Sequence, residues 1–370
     1  MRKQTIALAV LASAATVAFS ASADSFVPLS IRNAKPMFLV LPPRPPLPAK
    51  PGQHPANLAQ WNGSFVDLTG HTINYTMVGA DPALSNTSTH TTLWIIPVVM
   101  KFGAANGNLT FNPNTAHWNG RIVTKQVLRS PICEDGHVFR SGAVNLGPGE
   151  YLDDFQRGNF WSSVSTNSGY HTVMDCTTSK QLPPLKITVS PSQGNVMNNP
   201  FGSGVVGTDT FVSFDADASA YIGAHPQITP DTIPLFLSYD IYLTYSGCCI
   251  GGYHTALGGP PSGQIYSYAT FVDSPDTPAQ DIDAVSHEVG EVYDDPFANN
   301  VVNCNDSSLM EVGDPLENDA DYGDFAVNFH KITWHPQSLV YIPYFGAPTS
   351  TSANGWYALN NDIDHVCPGQ

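Results

Sequence analysis

The side chains best suited to chemistry lie in one short stretch, SHEVGE at residues 286–291. His287 and Glu291 are four residues apart, so a helix would place them on one face, one turn apart. An imidazole and a carboxylate in this arrangement can hold a divalent metal ion, and Glu288 can polarise a water molecule at that ion. A third ligand is needed, and Glu311 lies twenty residues beyond Glu291.

The scarcity of charged residues strengthens this prediction. The chain contains only six glutamates, and three of them fall between residues 288 and 311. No Lys or Arg occurs between Gly252 and Lys331 to pair with these acids. Clustered carboxylates without nearby cations indicate a metal site, and a surface helix carrying unrelated acids is the alternative.

A helix must position these residues, and its ends are marked in the sequence. Thr277 suits the N-cap, Pro278 the first helical position, and Gln280 completes a capping box. Pro296 should end the helix, so we predict a helix over residues 278–293. One face would be apolar and buried, with the candidate ligands opposite it in a cleft. The apolar face consists of Ile282, Val285, Val289 and Val292.

The rest of the chain is rich in strand signals. Residues 91–102 and 264–272 read as strands, and alternating residues 237–245 predict a half-buried one. Segment 264–272 could lie beside the cleft and align an extended peptide. A passage rich in Gly, Ser, Asn and Pro at residues 190–207 marks a boundary. We therefore expect an α+β protein with a β-rich N-terminal domain, residues 61–200, and a metal-binding domain, residues 201–370.

The N-terminal region suggests export. Residues 1–23 have the charged start, apolar centre and Ala-Ser-Ala end of a signal peptide. Residues 24–60 are proline-rich, which predicts an extended segment outside the core: a linker, a surface-wrapping arm or a propeptide. Export favours disulfides among the six cysteines, and the adjacent Cys248 and Cys249 should each find a distant partner.

Charge and hydropathy narrow the possible partners. The formal net charge is −16, and no cluster of Lys and Arg is present, which argues against binding to nucleic acid or to an anionic membrane. Apolar runs after residue 23 are too short to span a bilayer. The paired acids Asp153 and Asp154 could suggest a glycan hydrolase, but adjacent acids point in different directions, so we interpret them as a cap or a solvated turn.

The motifs resemble those of the zincin metallopeptidases, specifically the gluzincins, in which a Glu about twenty residues past the second helix ligand is the third ligand. SHEVGE at 286–291, DDP at 294–296 and EVGDP at 311–315 also look like a group of exported bacterial proteins that resemble metallopeptidases. Plant phosphate-induced (exordium-type) proteins are more distantly similar. The likeness extends to IPVV at 96–99, DFQRGNFW at 154–161 and NGWY at 354–357.

This resemblance implies a zincin-like C-terminal domain with an active-site helix. It makes His287, Glu291 and Glu311 the metal ligands and Glu288 the general base, while Asp314 would orient His287 or serve as an alternative ligand. The ion would be Zn²⁺, with Mn²⁺ or Ca²⁺ as alternatives because carboxylates are harder ligands.

The implied activity is that of a secreted peptidase acting on extracellular protein or peptide. Such an enzyme must stabilise a tetrahedral oxyanion, for which His254 and Tyr293 are candidates. The other hypothesis is a non-catalytic exported binding or structural module whose metal braces the fold.

Overall fold

The computed structural model describes residues 37–48, 56–167, 169–304, 308–317, 319 and 322–367. The predicted signal peptide and much of the proline-rich segment lie outside these residues. None of the helices in the described ranges has the length and apolar composition that a membrane crossing requires.

Helices are few and mostly short in the described part of the chain. The α-helices are α1 (Val123–Val127), α2 (Tyr151–Asn159), α3 (Trp161–Val164), α4 (Phe211–Ala224) and α5 (Asp283–Asp294). Short 3₁₀ turns occur at Ala104–Asn106, Asp314–Leu316, Ile342–Phe345, Thr349–Thr351 and Ala353–Gly355.

Strands make up most of the regular structure. In chain order they are β1 (Met37–Val40), β2 (Gln60–Val66), β3 (Thr72–Val78), β4 (Ser88–Phe102), β5 (Thr110–Phe111), β6 (His117–Trp118), β7 (Arg121–Ile122), β8 (Phe139–Ser141), β9 (Val144–Gly147), β10 (His171–Thr177), β11 (Leu185–Val189), β12 (Val196–Asn198), β13 (Val205–Thr210), β14 (Thr232–Tyr239), β15 (Ile241–Thr244), β16 (Cys248–Leu257), β17 (Gln264–Phe271), β18 (Val327–Phe329) and β19 (Ile332–Trp334). The α+β class expected from the sequence is confirmed.

One mixed sheet organises the described structure. Its strand order is β10-β4-β14-β17-β16-β15-β13-β12, with β1 added beside β16 and β11 and β5 beside β4. Strands β4, β14 and β17 run parallel, and β16 is antiparallel to β17. The predicted boundary near residue 200 falls within this sheet, because β4 from the first half pairs directly with β14 from the second. The sheet is therefore continuous across that position.

Helices cover both faces of this sheet. Helix α5 packs against β16 and β17, and Ala256 of β16 belongs to the core on that side. Tyr253 and Leu257 of β16 belong to the opposite core, which contains Phe214 of α4. Side chains alternate along a strand, so His254 shares the α5 face with Ala256. This alternation directs His254 toward the helix that carries the predicted motif.

The strand predicted over residues 237–245 differs from the structure in two ways: it is divided, and it is buried on both faces of the sheet. Residues 237–245 do not form one half-buried strand, because the chain divides into β14 and β15 at Asp240, where φ is +50°. Even the polar Ser238 is buried, next to the hydroxyl of Tyr268 at 2.9 Å. An alternating sequence is half-buried only when one face of its sheet meets solvent.

All six cysteines are paired in three disulfides, Cys133–Cys176, Cys304–Cys367 and Cys248–Cys249. The expectation that Cys248 and Cys249 find distant partners is wrong. The peptide bond between these two residues is cis, and their side chains are joined to each other at the start of β16.

The described parts of the proline-rich segment, residues 37–48 and 56–60, belong to the folded body, and Leu58 is buried in the main core. Met37–Val40 pairs in parallel with β16, and Phe38 is only 5 % exposed within the main core. The expectation that this segment lies outside the core is therefore wrong for Phe38. The short apolar sequence MFLV at residues 37–40 lies between Pro36 and Pro42 and is suited to a strand.

Candidate metal centre

Helix α5 carries the predicted motif but begins later than expected. Residues 278–282 are not helical, since Ala279 and Asp281 have φ values of +36° and +40°. The backbone N–H of Asp281 donates instead to the carbonyl of Val272, at 2.8 Å. Thr277 is not an N-cap, because its hydroxyl accepts a hydrogen bond from Asn199. The helix ends at Asp294, so the stop predicted from Pro296 is confirmed.

The polar face of α5 is buried as completely as its apolar face. His287 and Glu288 have no exposed surface, and Glu291 is 1 % exposed. Two glycines make room for these side chains. A Cβ atom at Gly252 of β16 would collide with the Glu288 carboxylate, and one at Gly313 would collide with the His287 ring. The expected open cleft is therefore a closed, polar interior.

The hydrogen bonds of His287 determine which nitrogen faces the acids. Gln337 donates its amide to the carbonyls of Gly313 at 3.2 Å and Tyr322 at 3.1 Å, which leaves its Oε1 to accept from Nδ1 of His287 at 2.7 Å. Nε2 of His287 is then an unprotonated acceptor in the neutral ring. It lies 3.0 Å from Oε1 of Glu291 and 3.5 Å from Asp314.

His254 approaches the same carboxylate from the sheet. Its Nε2 lies 3.2 Å from the carbonyl of Asp295, which can only accept, so Nε2 carries the proton. Nδ1 then faces Oε2 of Glu291 at 3.4 Å and Oε2 of Glu288 at 3.7 Å. When both rings are neutral, the two oxygens of Glu291 thus each meet one histidine lone pair. This arrangement is repulsive unless a proton or a metal ion lies between the atoms.

Glu311 joins this cluster next to His254. Its Oε2 lies 3.8 Å from Nε2 of His254, and His254, Glu291 and Glu311 offer ligand atoms within 4.8 Å of one another. The expected trio of His287, Glu291 and Glu311 is not among the groups that meet this distance in the described structure. His287 instead groups with Glu288 and Glu291, and separately with Asp314 and Glu317.

Several buried atoms of the cluster lack a hydrogen bond within the described structure. They are Nδ1 of His254, Nε2 of His287 and both carboxylate oxygens of Glu288 and of Glu311. Burying a polar atom without a partner costs about 1–3 kcal/mol, and more for a charged one. Cations or protons placed within the possible ligand groups would satisfy these atoms.

The pKa values reflect the same crowding of charge. Burial raises the pKa of Glu288 to about 8, and the nearby ring of His254 opposes this rise. Burial also raises the pKa of Glu311 well above its usual value, and the charge of Glu291 adds to this. Burial lowers the pKa of His254, but the nearby carboxylates of Glu288 and Glu291 outweigh it and raise the value to about 10. Protons and a metal ion therefore compete for the same atoms.

Asp314 lies on the ligand side of His287. Gln337, and not Asp314, forms the hydrogen bond to Nδ1 of His287, the nitrogen that faces away from Glu291. The orienting role expected for Asp314 therefore belongs to Gln337. The Asp314 side chain is 32 % exposed and sits 3.5 Å from Nε2, on the side of the ring that faces Glu291.

Tyr293 is not brought into this cluster. Burial raises its pKa above the usual value, and the charges that add to this belong to Glu150 and Asp175, outside the cluster. Its hydroxyl has no hydrogen-bond partner among the described residues. The structure thus gives the oxyanion role of Tyr293 no geometric support, whereas His254 lies inside the cluster.

The paired acids of α2 are structural. Asp153 accepts hydrogen bonds from the N–H of Thr172 and from His171, each at 2.7 Å. Asp154 is fully buried and accepts from the N–H of Gly149 at 3.3 Å. The interpretation of these acids as a cap or a solvated turn is wrong, because the sheet and α2 enclose both.

Sequence reasoning missed Gln337, Glu317 and the ligand position of His254. Glu317 is another of the six glutamates. The only sequence signal for it was that it follows Glu311 by six residues. His254 follows Gly251-Gly252 in a strand, where alternation puts Gly252 and His254 on one face.

Comparison of the chain with protein-family models, curated proteins and solved structures finds no match.

Proposed function

We propose that this protein is a secreted, metal-dependent peptidase. The observation that carries the proposal is the position of the Glu291 carboxylate between Nε2 of His287 and Nδ1 of His254, at 3.0 and 3.4 Å. Buried imidazoles and carboxylates packed this closely need positive charge among them, which a divalent metal ion supplies. The three disulfides and the predicted signal peptide support an extracellular location.

The residues present fit a divalent ion. Glu291 would be the central ligand, because it belongs to two of the possible ligand groups, one with His254 and Glu311 and one with His287 and Glu288. Mixed imidazole and carboxylate ligands suit Zn²⁺, and the number of carboxylates also admits Mn²⁺. Such an ion supplies Lewis acidity and lowers the pKa of water.

Glu288 would act as the general base. Its carboxylate faces Nδ1 of His254 at 3.7 Å and contacts the open backbone at Gly252. Burial raises its pKa to about 8, which makes it a stronger proton acceptor than an exposed glutamate once it is ionised. Gln337 would hold the ring of His287 in its binding tautomer.

The zincin-like arrangement is part of this proposal. The support for it is a helix bearing HExxE that packs against a sheet, with a further glutamate supplied from a later segment. The substitution of Glu291 for the usual second histidine makes the ligand set more negative, so the bound water would be less acidic than in a site with two histidines.

A second function is favoured by the complete burial of the cluster. His254, His287, Glu288 and Glu311 have no exposed surface, as expected for a structural metal in a non-catalytic binding module. The two functions differ in what Glu288 does, because only a peptidase needs it as a base.

The deciding experiment compares wild-type protein with Glu288→Gln, both loaded with zinc, on a reduced and alkylated protein substrate. A peptidase predicts cleavage by wild type and a loss of at least about 100-fold in the variant, with unchanged zinc content and melting temperature. Equal cleavage by both proteins would remove Glu288 from the mechanism. Zinc binding without cleavage, also in the Phe38→Asp variant described below, would favour the structural metal.

A further inference from the structure

Strand β16 lies next to the metal centre, and one of its edges is occupied by β1 from the N-terminal part of the chain. Strand β17 is paired on both sides, with β14 and β16, so the predicted alignment of a peptide along residues 264–272 has no free edge available. The other side of β16 is taken by β1, with Phe38 opposite Gly252 and Val40 opposite His254. Thus β1 lies alongside the two residues of β16 that face the centre.

Phe38 connects this strand directly to the centre. Its ring stacks on the ring of His287, with centroids 3.8 Å apart and planes inclined by 27°. Its backbone N–H donates to Oε1 of Glu317 at 2.8 Å. Glu317 groups with His287 and Asp314 as possible metal ligands. One residue of the segment therefore covers a ligand ring and engages a carboxylate of the cluster.

The segment remains attached beyond β1. Arg44 donates its N–H to the carbonyl of Ala256 and accepts from the N–H of Gly258, both at 2.8 Å. Its guanidinium also forms an ion pair with the buried carboxylate of Asp215. Residues 37–44 thus follow the edge of β16 from Ile250 to Gly258 as an added strand.

We propose that this edge of β16 is a binding groove for an extended peptide that places an aromatic side chain against His287. Residues 37–44 are its resident occupant, and the full chain holds its centre closed. Main-chain hydrogen bonds to β16 supply affinity, and the aromatic position supplies selectivity. The evidence for the groove consists of these contacts and does not depend on the proposed peptidase function. Its role in catalysis rests on the proposed peptidase function and would make unfolded segments with an aromatic residue the preferred substrates.

The test weakens the occupant in the full-length protein. Phe38→Asp places a carboxylate against Glu317 and the acidic cluster, which should release the segment. Phe38→Ala removes the stacking without adding charge and guards against a folding defect. Pro45→Ala, an exposed position in the same segment, is the matched control. The probe is a fluorescently labelled peptide with the sequence of residues 37–44, MFLVLPPR, and its binding is followed by anisotropy.

We expect the peptide to bind Phe38→Asp at least about tenfold more tightly than wild type or Pro45→Ala, with Phe38→Ala between them. A peptide with Ala in place of the aromatic residue should bind about tenfold more weakly than the original. Equal binding by wild type and both Phe38 variants, with all melting temperatures within a few degrees, would overturn the proposal. Equal binding of the original peptide and the peptide with Ala in place of the aromatic residue would also overturn the proposal.

Cleavage of the unfolded substrate by the same variants separates the two proposals. Faster cleavage by Phe38→Asp than by wild type supports both the groove and the peptidase. Tighter peptide binding with no cleavage by any variant keeps the groove and removes the peptidase. Cleavage at equal rates with equal peptide binding keeps the peptidase and removes the resident occupant.

Discussion

Nδ1 of His287 donates a hydrogen bond to Oε1 of Gln337 across 2.7 Å, deep in the interior. The amide of Gln337 cannot turn over without losing its bonds to the carbonyls of Gly313 and Tyr322. One glutamine thus determines that Nε2 of His287 faces Glu291. Metal-binding histidines are commonly held in this way through their other nitrogen.

Gln337 should therefore act as a positioning residue for the metal. Replacing it by Met keeps the volume but removes the acceptor, and we expect zinc affinity to fall about 10–100-fold. Gln337→Glu keeps an acceptor for His287 and should lose less. Competition with a chromogenic chelator measures both affinities. Unchanged affinity in Gln337→Met would show that the ring of His287 needs no such support.

His254 has two possible roles, and metal affinity distinguishes them. If His254 is a ligand, replacing it by Gln should weaken zinc binding by at least about tenfold. As an oxyanion stabiliser alone, the same change would lower kcat and leave zinc affinity intact. The exposed His90, which pairs with Asp175 at the surface, provides His90→Gln as the matched control. Chelator competition and cleavage rates on the same samples separate the two outcomes.

Stability should fall as the pH rises, because of buried carboxyl groups distant from the metal centre. Burial raises the pKa of Glu150 to about 8, where its carboxyl accepts from the N–H of Met174 at 2.6 Å. In the unfolded chain the same group titrates at the ordinary value of 4.5. Between these two values the folded state holds a proton that the unfolded state releases. Each such group lowers the free energy of unfolding by about 1.4 kcal/mol per pH unit.

Urea unfolding between pH 5 and 8 measures this slope. Glu150→Gln, which mimics the protonated group, should make the decline shallower, while the exposed Asp364→Asn should leave it unchanged. An identical slope in wild type and Glu150→Gln would mean that Glu150 is ionised in the folded protein.

The sequence predicted the elements whose signals are local. Helix α5 ends where Pro296 requires it, and β4 and β17 match apolar, β-branched runs. The helix start was wrong because Asp281 pairs with Val272 and accepts a hydrogen bond from the N–H of His335, 54 residues later, which overrides the capping signals at Thr277. A long-range contact of this kind leaves no trace in the neighbouring sequence.

The candidate site was predicted only in part, for the same reason. His287, Glu288 and Glu291 are contiguous on one helix, so their spacing alone revealed them. His254 and Gln337 reach the cluster from a strand and a loop distant in sequence, and only the fold brings them to Glu291 and His287. Phe38 lies in a segment whose prolines suggested an extended linker, arm or propeptide, although the four residues Met37–Val40 between Pro36 and Pro42 form a strand.

Zinc content is the most direct test of the central claim, that Glu291 lies between His287 and His254 to bind a metal ion. Wild-type protein and Glu291→Gln, which preserves shape but removes the charge, are dialysed against zinc and analysed for bound metal. We predict about one or more ions per wild-type chain and almost none in Glu291→Gln. A folded wild-type protein that binds no zinc or manganese would contradict the claim and show that protons alone neutralise the cluster.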